Sequence, residues 1–160
     1  MKVAIYPGTF DPITYGHIDV IRKSLNIFDK VIVATTDNIN KNYHFSIEDR
    51  LSIIQNSLFK DLKLNKKKIK VISFDNLTID LCKKYKASTI IRGLRAASDF
   101  EYEFQLAGMN KKLNTKIETM FLMSDIENQI ISSNFVKEIA SLGGNIDRFV
   151  TRSTAKKLQN

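Results

Sequence analysis

Residues that cross-link or ligate are scarce: one cysteine, two histidines and no tryptophan among 160 residues. A lone thiol, Cys82, cannot close an internal disulfide, and with His17 and His44 it shows no metal-ligand spacing, so a protein-held zinc site is not expected. Long apolar runs are missing too. Segments such as "KVIVATT" and "TMFLM" fall far short of the roughly 18 uninterrupted apolar residues a membrane span needs. The start "MKVAIYP" has no extended apolar stretch followed by a small-residue cleavage site. The expectation is a soluble protein of a reducing cytoplasm with no membrane partner. Three further signatures are absent: G-x-x-x-x-G-K-[ST], G-x-G-x-x-G after the first strand, and G-x-S-x-G. Their absence argues against a P-loop NTPase, a dinucleotide-binding dehydrogenase and a serine hydrolase.

What is present fits one domain, residues 1–160: at 43% hydrophobic the chain can bury a sizeable core. A formal charge of +8 suits nucleic acid, an anionic surface or a phosphate-rich small substrate, and cannot choose among them. Much of it lies in lysine runs such as "KLNKKKIK", which read as solvated turns.

Five short, mostly β-branched segments read as buried parallel strands: "KVAIYP" (2–7), "KVIVATT" (30–36), "KIKVISF" (68–74), "STIIRG" (88–93) and "ETMFLM" (118–123). Helical patterns lie between them: "HIDVIRKSLNIF", "SIEDRLSIIQNSLF" behind an N-cap at Ser46, "LTIDLCKKY" and "DFEYEFQLAGMNKKL". Two more, "SNFVKEIASL" and "TAKKLQ", follow. Alternation of strand and helix predicts an α/β fold, a five-stranded parallel sheet with helices on both faces.

In such folds ligands lie beyond the carboxyl ends of the strands. There the first strand runs into "YPGTFDPITYGHIDV", which holds both prolines and two of the six glycines within ten residues. This is a strand-to-helix turn by composition alone. It also assembles parts suited to phosphate: Gly8 for close approach, the Thr9 hydroxyl, space at Gly16, and His17 at a helix start where anions collect. Arg92 closes the fourth strand, and "ISSN" follows the fifth, with Ser132 and Ser133 as N-cap candidates.

Together, "GTFDPITYGH", "IIRGLRAASDFEYEFQLAGMN" and "ISSNFVKE" resemble, in order and spacing over nearly the whole chain, the bacterial phosphopantetheine adenylyltransferase family. That family belongs to the nucleotidyltransferase superfamily with its T-x-G-H motif. The resemblance implies a Rossmann-like nucleotidyltransferase domain that transfers AMP from ATP to 4'-phosphopantetheine. The products would be dephospho-coenzyme A and pyrophosphate, with Mg2+ as cofactor and attack direct and in line. It implies His17 as stabiliser of the transition state and Thr9, Lys41 and Arg92 as its companions. Lys41 and Arg92 would hold the acceptor phosphate, Thr9 would contact both substrates, and Thr78 would contact the pantetheine arm. The ATP site would take Phe10, Gly93, Leu94, Arg95, Glu103, Asn128, Ile131, Ser132, Ser133 and Asn134. A homohexamer, a dimer of trimers, is implied as well. The apolar residues Phe100, Phe104 and Ala107 on one helical face could supply part of its interface.

Some positions depart from the family pattern: Asn128 where some members carry an aromatic, Asn134 in place of a third serine or threonine, and "FVTRST" without a proline. Two rival readings remain. A nicotinate or nicotinamide mononucleotide adenylyltransferase would share the fold but would not be expected to carry "RGLRAASDFEYE". A basic nucleic-acid-binding domain would need aromatics exposed along a basic groove, whereas most of those visible read as core.

Overall fold

The computed structural model describes residues 1–160, apart from the side chains at 97 and 98. Five parallel strands, β1 (Val3–Gly8), β2 (Lys30–Thr36), β3 (Ile69–Phe74), β4 (Thr89–Leu94) and β5 (Glu118–Met123), form one sheet in the order β3-β2-β1-β4-β5. Six α-helices join or follow them: α1 (Tyr15–Leu25), α2 (Ile47–Gln55), α3 (Thr78–Tyr85), α4 (Ala97–Leu113), α5 (Ser133–Ser141) and α6 (Arg152–Gln159). The anticipated elements are all there, with ends moved by a few residues. Two short pieces were not anticipated, a π turn over Asn56–Asp61 that finishes α2 and a 3-10 turn over Ile126–Asn128.

Successive side chains of a strand point to opposite faces, so a sheet covered on both sides needs continuous apolar strands. Ala4, Tyr6, Val31, Val33 and Ile91 pack on one face with Ile18 and Ile21 of α1 and Ile53 and Ile54 of α2. Val3, Ile5, Ile32, Ala34 and Ile90 pack on the other with Ile79, Leu81 and Cys82 of α3. The Cys82 thiol is buried, and burial pushes it up to about 11. It is core, not a nucleophile. A third cluster, Ile131, Val136, Ile146, Val150 and Ala155, seats α5 and α6.

The sheet opens at its switch point. β1 pairs with β2 from Val3 through Gly8 but with β4 only at Ala4 and Ile5. Beyond Ile5 the two central strands part, and their carboxyl ends form the floor of a cleft.

Candidate active site

The cleft is a cavity of about 670 Å³, within the range of small-molecule sites. Tyr6 to Asp11 line it from β1, Arg92 to Arg95 from β4, Lys41 to Tyr43 from the loop after β2, and Ser132 to Asn134 with Lys137 from α5. His17 and Gly16 face it from α1. Of the sequence-derived candidates, Thr9, Phe10, His17, Lys41, Arg92, Gly93, Leu94, Arg95, Glu103, Ile131, Ser132, Ser133 and Asn134 therefore come together. Thr78, at the start of α3, does not line the cavity, and neither does Asn128. Asn128 instead donates its side-chain amide to buried Asp19 at 2.7 Å and so anchors the 3-10 turn.

His17 is the third residue of α1, and its Nδ1 accepts the backbone N–H of the N-cap Thr14 at 3.0 Å. A nitrogen that accepts an amide proton carries the lone pair, so the neutral ring holds its proton on Nε2. Burial pushes the His17 pKa down to about 4, and the cations Arg95 and Arg92 add to the effect. The ring is thus a neutral donor at pH 7. The same side chain caps the helix and faces the cavity. Phe10 braces it. That ring is 1% exposed and lies edge-on to His17 at 5.0 Å and to Tyr6 at 5.3 Å.

The two glycines have reasons other than ligand approach. A Cβ on Gly8 would meet the Phe10 ring at 3.0 Å, and one on Gly16 would meet the Asn128 carbonyl at 3.3 Å. The space kept at Gly16 thus serves the contact of α1 with the 3-10 turn, on the cavity wall.

Arg92 spans the gap between the parting strands. Its Nη1 donates to the Pro7 carbonyl at 3.2 Å, while Nε and Nη2 donate to the Glu103 carboxylate at 2.7 and 2.6 Å. The guanidinium pairs with Glu103 of α4 rather than with Asp99 or Glu101, nearer in sequence, because a bidentate fork needs a carboxylate facing the strand end. Both Glu103 oxygens serve this pair, and the residue also lines the cavity. Burial disfavours the Arg92 cation, but the Glu103 hydrogen bonds outweigh it and the guanidinium is held charged. One N–H on each terminal nitrogen remains for a ligand.

Arg95 donates to the Ile131 carbonyl at 3.2 Å and lies 3.6 Å from Asp99. The Ser132 hydroxyl accepts the Phe135 N–H at 3.1 Å as the N-cap of α5, and Ser133 donates to the Pro12 carbonyl at 2.8 Å. These bonds hold the amino terminus of α5 at the cavity wall, where its remaining amides and positive dipole end suit anions. Lys137 and Tyr43 were not singled out in the sequence. Nor was Arg50, fully buried behind the cavity. Its signal was available: 50, 53, 54, 57 and 58 form one helical stripe, and a charge at the head of an apolar stripe marks a polar task inside.

The Cytidylyltransferase-like family model matches residues 5–139. The chain is 68% identical over 158 residues to the phosphopantetheine adenylyltransferase of Pelagibacter ubique, covering 99% of this chain and 96% of that protein. It is 49% identical to the enzyme of the same name from Caldanaerobacter subterraneus over 158 residues, 99% of this chain and 96% of that one. Among solved structures, a putative nicotinate-nucleotide adenylyltransferase from Vibrio parahaemolyticus superposes with a TM-score of 0.72 at 21% identity, each chain fully covered. That likeness speaks for the fold alone. With a full-length relative at 68% identity and the T-x-G-H turn seated in the cleft, the chain belongs to the phosphopantetheine adenylyltransferase family of cytidylyltransferase-like nucleotidyltransferases.

Proposed function

We infer that the protein transfers the adenylyl group of ATP to the phosphate of 4'-phosphopantetheine. An oxygen of the acceptor phosphate attacks the α-phosphorus, the bond from that phosphorus to the bridging β-oxygen breaks, pyrophosphate leaves, and a new phosphoanhydride forms. A phosphate monoester is largely dianionic at neutral pH, so no side chain has to remove a proton. Positioning and charge stabilisation then carry the catalysis. The observation that supports this most strongly is one cavity walled by Lys41, Arg92, Arg95, Lys137, the amino terminus of α5 and a neutral His17.

In this reading His17 donates from Nε2 to an α-phosphate oxygen as charge builds there. Lys41 and the free protons of Arg92 take the acceptor phosphate, and Thr9 lies between the substrates. Arg95, Ser132, Ser133 and Asn134 take the triphosphate. Among the described residues no three His, Cys, Asp or Glu side chains form a metal-binding group, and the carboxylates in the cavity wall, Asp11, Asp99 and Glu103, each lie against a basic side chain. That donor set suits magnesium carried in by the ATP phosphates, which would shield the leaving charge.

Assembly belongs to the same proposal. Helix α4 leaves Phe100 and Phe104 on one side, and Tyr102, Met109 and Leu113 on the other, about half or more exposed, apolar surface that further copies of this chain would cover in a dimer of trimers. Among the described residues no helix is long and apolar enough to cross a membrane.

The test is pyrophosphate release from ATP offered with phosphopantetheine or with nicotinate mononucleotide. Release with the first alone is expected; preference for the pyridine nucleotide would overturn the substrate assignment.

A further inference from the structure

Lys41 sits on an exposed loop, residues 37–45, between β2 and α2. A flexible lysine on such a loop cannot hold a phosphate in register unless the loop itself is fixed. Within the loop the bonds are local: Asn38 N–H to the Tyr43 hydroxyl at 2.9 Å, and Lys41 N–H to the Asn38 carbonyl at 3.0 Å. At its ends the Asp37 N–H donates to the Phe74 carbonyl at 2.8 Å and Phe45 is buried in the core; the remaining ties to the protein come from two buried charges.

Arg50, 0% exposed, reaches both ends at once. Its Nη1 donates to the Thr36 carbonyl at 2.7 Å and its Nε to the Phe45 carbonyl at 3.3 Å. The guanidinium lies over the Tyr43 ring at 3.9 Å, and Nη2 sits 3.5 Å from Asp37 with no hydrogen-bond partner. Nη1 is also within reach of the Thr35 hydroxyl and the Thr9 carbonyl, at 3.0 and 3.1 Å. From the opposite side Asp11, 5% exposed, accepts the N–H groups of His44 at 2.6 Å and Phe45 at 3.0 Å, with Lys137 at 3.6 Å.

Buried charges are weak devices for stability alone, since apolar residues of similar volume often do as well. Here two of them converge on one surface loop. We propose that Arg50, opposed by Asp11, is a positioning residue for the transfer reaction: it clamps loop 37–45 so that Lys41 is presented to the acceptor phosphate. The proposal rests on the reading of Lys41 as an acceptor-phosphate ligand. The Thr9 carbonyl keeps the Thr35 hydroxyl as a donor, at 2.9 Å, and an effect carried through Thr9 would weaken both substrates rather than the acceptor alone.

The test is a double-mutant cycle on the full chain with Arg50→Lys, Lys41→Ala and the pair. It reads the KM for phosphopantetheine, the calorimetric Kd for ATP and the thermal midpoint. Arg50→Lys should raise the phosphopantetheine KM about tenfold, the size of one lost charge-assisted contact, and leave the ATP Kd within about twofold. In the pair, the Arg50 change should add less than about twofold to the Lys41→Ala effect, since nothing is left to position. Multiplicative effects, or equal losses for both substrates, would overturn the proposal while leaving the Lys41 reading intact. A Lys41→Ala enzyme with unchanged phosphopantetheine KM would overturn that reading and the proposal with it. Should Arg50→Lys not fold, Asp11→Asn, which keeps its size and one amide acceptor, replaces it in the same cycle with the same expected outcomes.

Discussion

Nδ1 of His17 accepts the backbone N–H of Thr14 at 3.0 Å, and this bond decides which edge of the imidazole can serve the cavity. The Thr14 hydroxyl lies 3.1 Å from the same nitrogen. Only Nε2 remains to donate, and the ring's tautomer is set before any substrate arrives.

The first prediction concerns protonation. With its pKa pushed from the ordinary 6.5 down to about 4, folded His17 stays neutral over a range in which the unfolded chain binds a proton. Stability from this group is therefore lost as pH falls from about 6.5 towards about 4. Nitrogen-15 NMR of the ring should show a proton on Nε2 at pH 7 and no titration until well below pH 6. A ring that titrates near 6.5 with its proton on Nδ1 would contradict the assignment.

Lys41 and Arg92 differ in what else they do, so their alanine variants should differ. Lys41 is exposed and its side chain makes no bond to the described residues, so Lys41→Ala should leave the thermal midpoint unchanged. Its KM for phosphopantetheine should rise about tenfold to a hundredfold, with ATP binding little altered. Arg92→Ala should weaken acceptor binding and also lower the midpoint, because it strands buried Glu103. Calorimetry with equal losses for ATP and acceptor would contradict the division.

Glu103→Gln tests the pair from its other end. Loss of the charge leaves a largely buried guanidinium without a counter-ion, at a cost of about 1–3 kcal/mol. The midpoint should drop by several degrees. If Glu103 were chiefly a nucleotide contact, the ATP Kd would rise and the midpoint would hold.

Much of this was legible in the sequence because the strands are continuous apolar runs and the motif residues fall at strand ends. β2 and β5 match their sequence-derived bounds, and the Ser46 and Ser132 caps are as read. What was hidden depends on pairing across long separations. Nothing local tells Arg92 to choose Glu103 over Asp99 or Glu101; the choice follows from how α4 lies against β4. Gly16 read as space for a phosphate, and only the fold brings the Asn128 carbonyl beside it, 112 positions along the chain. Thr78 rested on the resemblance alone; it does not line the cavity, because β3 is the sheet's edge, with β2 and β1 between it and β4. Arg50 was hidden differently, in plain view on an apolar stripe.

The exposed face of α4 predicts association. Light scattering at micromolar concentration should report an oligomer, and Phe104→Glu, which places a charge on a residue 64% exposed in the single chain, should dissociate it. A monomer in the unmodified protein would contradict the assembly.

Catalysis through a preorganised donor is tested most directly by measuring kcat and the thermal midpoint of His17→Ala side by side. Loss of the Thr14 contact should cost about 1 kcal/mol of stability. Loss of the Nε2 donor should lower kcat on the order of a hundred- to thousand-fold, with ATP affinity only modestly changed because Arg95 and the α5 amino terminus remain. A variant that is destabilised yet turns over at a near-normal rate per folded molecule would mean that His17 is a helix cap and nothing more.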